Sequence, residues 1–359
     1  MAAKVRVGVI GLGMGMGHAR RYRECPEAEL VAFCDRDAAW LAHVQREMQV
    51  PHTFTDYGDL LDRPDIDAVS VCLPTALHAE AAVRALRAGK HVLCEKPMAT
   101  NAREARAMAA AAKRARKVLM ISQNQRFTQE AQYLKRRLGK GELGDLYFVR
   151  TGWRRPMGML PQPVAHRATG AFSRNWFNQQ AGGGGVLRDL GSHMVDLSLW
   201  FLGFPKIAQV LGANYAMFTP QHAAAAGQRA DAEDLAVGMI RFANGASLQL
   251  EVSFGTFVES EVVFLELYGT RGGASLRNGL RLFGGGEGAY TTTVPQRFSI
   301  PVETPQAHFV HAIQKGSEPL VTPEQGVAVI EVLDALYAGG VTQRKPVRPG
   351  RRAKKRKAG

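Results

Sequence analysis

The chain is predicted to be α/β and to hold two domains, a doubly wound parallel sheet followed by an α/β domain with a mostly antiparallel sheet. Three observations predict it. Short, continuous apolar runs alternate with helical segments through the first third of the chain, which is the pattern of parallel strands covered on both faces. A glycine-rich turn joins the first of those strands to the first helix. After Ser122 the strands lengthen, and Asn244-Gly245 joins two of them as a two-residue hairpin signal. The expected boundaries are 1–122, 123–343 and a basic, disordered tail over 344–359.

Lys4 to Ile10 is the first strand, and it runs into Gly11-Leu12-Gly13-Met14-Gly15-Met16-Gly17, with a helix from about His18. Strand, glycine turn and helix in that order let backbone N–H groups and a helix N-terminus hold a pyrophosphate. Gly11, Gly13, Met14 and Gly15 are the expected contacts. Counted from Gly11, the third glycine position of a GxGxxG turn is Met16, so the turn is expected to be shortened or shifted by a residue. The second strand, Glu29 to Cys34, ends in Asp35, 24 residues after Gly11, close to the spacing of an acid that binds the ribose 2′-hydroxyl. That favours NAD. Arg36 follows it and could hold a 2′-phosphate, which keeps NADP open.

The alternation continues with a helix over Ala38 to Met48, a strand over Asp67 to Leu73, a helix over Leu77 to Ala88 closed by Gly89, a strand over His91 to Cys94, a helix over Asn101 to Arg116 and a strand over Val118 to Ser122. Ligands of such a sheet lie beyond the strand C-termini. Two of those ends carry polar groups: Leu73-Pro74-Thr75, with His78 one turn on, and Glu95-Lys96-Pro97. All six residues before Pro97 are expected near the cofactor. Proline restricts the turn that holds Lys96, and the bond between them is able to be cis. An ammonium fixed there can donate to a substrate hydroxyl and lower its pKa, although a lone EKP also fits a solvated strand end.

Gln123 to Phe127 leads into a helix ending near Leu138, and Leu146 to Trp153 reads as a strand. Arg154 to Gln180 is a long polar loop with three prolines, and long loops in compact domains are usually functional or disordered. Arg154, Arg155, Arg174, Asn175 and Trp176 could wall a polyhydroxylated ligand. Directly after it, GGGGVLRDLGSHMVDLSLW (182–200) approaches a helix through glycines. Asp189 and His193 are i and i+4 there and share a face, which Asp196 and Trp200 continue. A carboxylate beside an imidazole suits proton transfer near neutral pH, but an isolated pair is more often a surface contact. Asp196 is left outside the catalytic set.

Strands follow over Ile207 to Met217, Asp234 to Phe242, Ala246 to Phe254 and Glu261 to Tyr268, with Asn278-Gly279 as a second hairpin signal. They read as apolar on both faces. One face needs helices and the other is expected to be a subunit interface. Ala307 to Gln314 and Glu324 to Tyr337 are the closing helices. His308 and His311 lie i,i+3 on the first of these without convergent carboxylates, so they read as structural or solvated, and no metal is expected.

The apolar fraction of 46% and charged fraction of 22% are those of an ordinary globular protein. No window approaches the ~20 apolar residues of a membrane span. The N-terminus enters a strand without a hydrophobic leader, so a cytosolic protein is expected. The net charge of +14 invites a nucleic-acid reading, but nine basic residues from Arg344 to Lys357 follow the last acid, Asp334, and leave only +5 for the rest. Specific nucleic-acid binding is therefore not expected. Cys25, Cys34, Cys72 and Cys94 lack CxxC spacing and read as buried reduced thiols.

In order and sequence, the glycine turn, Asp35, LPTALHAEAAVRALRAGKHVLCEKPMA (73–99), NQRF (124–127), GGGVLRDLGSHMVDLSLWFLG (183–203) and YGTRGG (268–273) resemble the Gfo/Idh/MocA family of glucose-fructose oxidoreductase, inositol dehydrogenase and their relatives. The resemblance covers about residues 4 to 348. It implies a Rossmann domain followed by an α/β domain with a large open sheet, through which members assemble as homodimers or homotetramers. It also implies hydride transfer between a nicotinamide and a sugar, cyclitol or related polyol. Lys96, Asp189 and His193 would form the active-site triad: His193 takes the hydroxyl proton, Lys96 stabilises the developing alkoxide, and Asp189 orients substrate or imidazole. Arg126, Arg154 and Trp176 would join these three around the substrate. Two alternatives stand beside this reading, an NAD-dependent glycosidase that uses the same triad for transient oxidation, and a non-catalytic dinucleotide-sensing regulator.

Overall fold

Strand β1 (Val5–Ile10) is buried along nearly its whole length, as a β-branched run covered on both faces must be. Around it the computed structural model, which describes residues 3–159, 183–225, 231–286 and 288–343, builds a parallel sheet. Its strands are β2 (Ala28–Cys34), β3 (His52–Phe54), β4 (Ala68–Val71), β5 (His91–Cys94) and β6 (Leu119–Ile121), in the order β3-β2-β1-β4-β5-β6. Helices α1 (Gly15–Arg23), α2 (Ala38–Met48), α3 (Tyr57–Leu61), α4 (His78–Arg87) and α5 (Ala102–Ala115) connect them. The strand order reverses between β1 and β4, and the crevice of such a sheet opens at that reversal, beyond the strand C-termini. β3 and α3 are elements the sequence pattern did not announce. β3 is a three-residue, half-buried edge strand, too short to show a period.

The chain leaves this sheet through a turn at Asn124–Phe127 into α6 (Gln129–Gly139) and β7 (Leu146–Pro156). The strand runs three residues past its expected end at Trp153. After α7 (Val186–Leu202) come β8 (Ile207–Tyr215), α8 (Thr219–Ala225), β9 (Leu235–Phe242), β10 (Ser247–Thr256), β11 (Val262–Gly269), β12 (Gly273–Leu276), β13 (Leu280–Gly286) and β14 (Ala289–Thr293). α9 (Pro305–Lys315), α10 (Pro323–Ala338) and β15 (Gly340–Gln343) close the described chain. The second sheet has nine strands, β14-β13-β12-β11-β7-β10-β9-β8-β15. Only the β7/β10 and β8/β15 pairs are parallel. Both Asn-Gly signals form hairpins, and Asn278 and Gly279 take the two positive φ angles, 55° and 95°, that a tight hairpin turn needs.

Strand alternation divides this sheet into two faces. Val149 and Thr151 of β7 lie level with Leu248 and Leu250 of β10, all four buried, on the face that packs on α7. Arg150 and Gln249 lie on the other face, level with Met239 and Glu266. This open face is more polar than expected. Leu211 (71% exposed) and Met239 (42%) share it, two to three strands away, with an Arg150–Glu266 ion pair, and Arg154 and Glu251 add a second pair. α10 packs on α5 and α7, whereas α9 returns to the parallel sheet and packs on α1 and β1. All four cysteines are free and buried. Among the described residues, no helix is long and apolar enough to cross a membrane.

One polar contact lies in the middle of the packing. Arg126, wholly buried, donates from Nε and Nη2 to both carboxylate oxygens of Asp196 on α7, at 2.8 and 2.6 Å. Its Nη1 donates to Leu320 O and to Gln325 Oε1 on α10, at 3.0 and 2.6 Å. Removing one partner of a buried pair strands the other charge. Asp196→Ala is expected to cost about 3–5 kcal/mol in urea unfolding, and Arg126→Met with Asp196→Leu to recover most of it. A loss under about 1 kcal/mol in the single variant would show that water reaches the guanidinium.

Candidate active site

The glycine turn performs three separate tasks with its third glycine one residue early. Gly11 has a φ of +88°, and a Cβ there would lie 2.6 Å from Cys72 O. At Gly15 a Cβ would lie 2.6 Å from Val9 Cγ1, so this glycine allows α1 to pack on β1. Nothing lies within 4 Å of a Cβ built at Gly13, which leaves its backbone open to an approaching phosphate. Tight turn, close approach and helix packing are the tasks of a dinucleotide fingerprint. The shift appears in the helix as well, which begins at Gly15 and not near His18. Met14 is 66% exposed at the rim of the turn. The Asp35 carboxylate accepts from Leu12 N at 2.8 Å and Asp37 N at 3.0 Å. A carboxylate has about four lone-pair sites, so it retains capacity for ribose hydroxyls. Arg36 is exposed beside it. These groups fit a dinucleotide.

Beneath the turn, His18 Nε2 and Glu95 Oε1 are 2.8 Å apart and almost fully buried. Burial opposes the charge on His18, but Cys72 and Glu95 outweigh it and lift the imidazole to about 10. Burial likewise opposes the Glu95 carboxylate, and His18 and Lys96 hold it at about 2. Glu95 therefore anchors the Lys96 turn to the dinucleotide helix, and it also accepts from Lys96 N at 3.2 Å. His78 lies between the two strand ends. It is buried, with Nδ1 2.8 Å from Pro97 O and Nε2 2.7 Å from Leu73 O, so it braces two strand-end loops and has no ring nitrogen left for a cofactor. Pro74 is exposed at this strand end. Thr75 lies under the glycine approach to α7, where a Cβ on Gly183 would meet Thr75 Cβ at 2.8 Å.

The two domains meet at Lys96. Its Nζ donates to Asp189 Oδ1 at 2.6 Å, across 93 residues of sequence, and the Lys96–Pro97 bond is cis. Asp189 is thus engaged with the ammonium and not, as one expectation had it, with the imidazole one turn on. His193 is 7% exposed, its ring is 5.8 Å from that of Trp153, and its Nδ1 has no hydrogen-bond partner among the described residues. Burial and then the Lys96 charge push His193 down to about 3, so the imidazole is neutral at pH 7.

The start of α7 is held by Glu233, whose backbone oxygen accepts from Val186 N at 3.1 Å and whose Oε1 accepts from Leu187 N at 2.9 Å and from the Tyr337 hydroxyl at 2.7 Å. No local motif marks Glu233 as the cap of a helix that begins 47 residues before it. Two expected substrate contacts lie elsewhere. Arg126 is sealed against Asp196, and Arg154 points to the open sheet face. The group near His193 is Arg155, which donates to Glu261 Oε1 at 3.0 Å beside Trp153 Nε1 at 2.6 Å. Alternation continued past Trp153 would have put 153 and 155 on one face. Trp176, Arg174 and Asn175 lie outside the described residues. His308 and His311, read as lacking carboxylates, both meet Glu303, at 2.9 Å each.

Residues 5–123 match the family model described as oxidoreductase family, NAD-binding Rossmann fold, and 131–275 match the GFO/IDH/MocA C-terminal domain. The chain is 28% identical over 352 residues to D-glucoside 3-dehydrogenase of Escherichia coli, covering 95% of this chain and 97% of that protein. It is 26% identical to scyllo-inositol 2-dehydrogenase (NAD(+)) of Bacillus subtilis over 92% and 93% of the two chains. A solved structure of levoglucosan dehydrogenase in complex with NADH and levoglucosan shares the fold, with a TM-score of 0.80, 23% identity, and coverage of 94% of this chain and 97% of that one. With both domain models matched in order, and the glycine turn and strand order of a dinucleotide fold in place, the chain belongs to the Gfo/Idh/MocA family of NAD-dependent oxidoreductases.

Proposed function

We propose that this chain oxidises a secondary hydroxyl of a sugar, cyclitol or related polyol, and reduces the ketone in the reverse direction, with His193 as general acid/base. The observation that carries the reading is the 2.6 Å contact of Lys96 with Asp189 beside a buried, neutral His193 whose Nδ1 is unpartnered among the described residues. The substrate class rests on the relatives, whose names are those of sugar and inositol dehydrogenases. Bound NAD supplies the hydride acceptor. The chain supplies everything else. Lys96 donates to the substrate oxygen as that atom gains negative charge, and Asp189 fixes the position of the ammonium. His193 accepts the hydroxyl proton, and the Asp189 and Glu95 carboxylates favour the imidazolium as it forms. In the reducing direction the same proton returns to the alkoxide.

Assay of NADH formation against a panel of sugars and inositols tests the reading. On the substrate so found, His193→Ala and Lys96→Ala are each expected to lower turnover by about 10²- to 10⁴-fold, with NADH still bound by the His193 variant. Near-full activity of that variant would remove His193 from the mechanism. The pH dependence has a definite sign. His193 is depressed below its unfolded value of 6.5 to about 3, so it stays a competent base as pH falls through that window while the unfolded chain takes up a proton and stability declines. The acid limb of kcat/KM for oxidation is expected below pH 6.5, and a limb at or above 6.5 would count against a dry imidazole.

The open sheet face supports homo-oligomerisation, as a dimer or tetramer, because Leu211 and Met239 are exposed there among ion-paired residues. Leu211→Arg is expected to lower the molar mass measured by light scattering, and an unchanged mass would place the interface elsewhere.

A further inference from the structure

We propose that Cys25, Glu27 and His311 form a binding site for a divalent transition-metal ion of the zinc type, with Glu303 as the carboxylate that orients the histidine. Cys25 and Glu27 lie in the turn between α1 and β2, at the N-terminal edge of the parallel sheet, and His311 comes from α9. The dinucleotide turn is at the opposite edge, roughly 20 Å away by the length of a seven-residue strand.

Three features carry the assignment. The first is distance. Cys25 Sγ is 3.5 Å from Glu27 Oε2, His311 Nε2 is 3.5 Å from the same oxygen, and all three ligand atoms lie within 4.8 Å of one another. A tetrahedral ion with ligands at about 2.0–2.3 Å sets its ligand atoms roughly 3.3–3.7 Å apart, so two of the three edges already have the right length. The second is the tautomer. Glu303 Oε1 lies 2.9 Å from His311 Nδ1, which keeps the proton on Nδ1 and turns the Nε2 lone pair toward Glu27. A carboxylate behind a ligating histidine is the usual support of a zinc ligand. Glu303 is itself fixed. Leu320 N donates to His308 Nε2 at 2.9 Å, which leaves His308 Nδ1 to donate to Glu303 Oε2 at 2.9 Å, and this spends both nitrogens of His308 and leaves it outside the ligand set.

The third feature is chemistry. Thiolate, imidazole and carboxylate together suit zinc better than magnesium or calcium, which take oxygen ligands. Cys25 is buried, and the Glu27 and His311 side chains are 42% and 25% exposed, so the ion has an entry path and water completes its fourth position. Binding breaks the Cys25 S–H bond, releases that proton to solvent and forms the sulfur–metal bond without any change of oxidation state. The bound ion would tie α9, which follows the second sheet in the chain, to the first domain.

Cobalt(II) titration of the untagged, chelator-treated full chain tests this, since cobalt adopts zinc-like sites and a thiolate ligand gives a near-ultraviolet charge-transfer band. The expected result is a band that saturates at one equivalent and is displaced by zinc. Cys25→Ser should abolish the band. His311→Ala and Glu303→Gln should each weaken binding by about 10- to 100-fold, and at one fixed zinc concentration the rise in melting temperature should be smaller in these variants than in the parent chain. Both substituted side chains in the second pair are partly exposed, so their folding is checked by NADH binding. No band at stoichiometric cobalt, or a band that persists in Cys25→Ser, would overturn the proposal, as would equal affinity in the parent, His311→Ala and Glu303→Gln chains.

Discussion

The buried contact between Arg126 and Asp196 sets the rotation of the helix on which the site depends. Asp196 follows Asp189 by seven residues, which on an α-helix is about 20° short of two full turns. Whatever fixes Asp196 therefore also aims the stripe that holds Asp189 and His193. Arg126 does so from the turn after β6, while its Nη1 grips the segment that starts α10. Trp200 and Phe204 lie against the guanidinium, 5.6 and 5.2 Å from its centre. A buried ion pair is weak evidence for net stability, and burial pushes the Asp196 carboxyl up even beside Arg126. Its effect here is geometric, since it ties one face of α7 to the turn after β6. Glu233 fixes the other end by capping the first turn.

Seen from the parallel sheet, the same site depends on a second buried pair. Glu95 meets His18 on the dinucleotide helix and the backbone of Lys96 on the turn after β5, so a shift of α1 would be felt at the ammonium. Ser70 extends this network, 3.1 Å from His18 Nδ1 and 2.8 Å from the Tyr22 hydroxyl. His78 closes it from the other side by joining the loops after β4 and β5. The site is thus assembled where the two sheets' elements meet: Lys96 comes from one side, Asp189 and His193 from the other. His193 is buried because groups from both sides lie near it.

Much of this was legible along the chain. The two periods and the glycine punctuation marked five of the six parallel strands, the central strands of the second sheet, both Asn-Gly hairpins and α7, because each of these is encoded within about twenty residues. Lys96, Asp189 and His193 could be singled out because the EKP turn and the i,i+4 pair are local patterns. Where local pattern ended, so did the reading. Arg126 and Arg154 were expected at the substrate and lie elsewhere, Arg126 because its partner is 70 residues away and Arg154 because strand β7 continued past Trp153 and alternation turned it outward.

Sequence by itself therefore determined the fold class, the order of the longer elements and the identity of three chemically suited side chains, through periodicity and turn chemistry that any short window carries; β3, α3, α8, β14 and β15 were too short to show either. Tertiary structure alone decided their partners: that Asp189 pairs with Lys96 instead of His193, that Glu233 caps a helix lying upstream of it, and that Glu303 and Glu27 converge on a histidine read as lacking carboxylates. The reason is physical. A local pattern fixes which way a side chain points on its own element, but a charge finds its partner only when packing has set the distance between elements far apart in the chain.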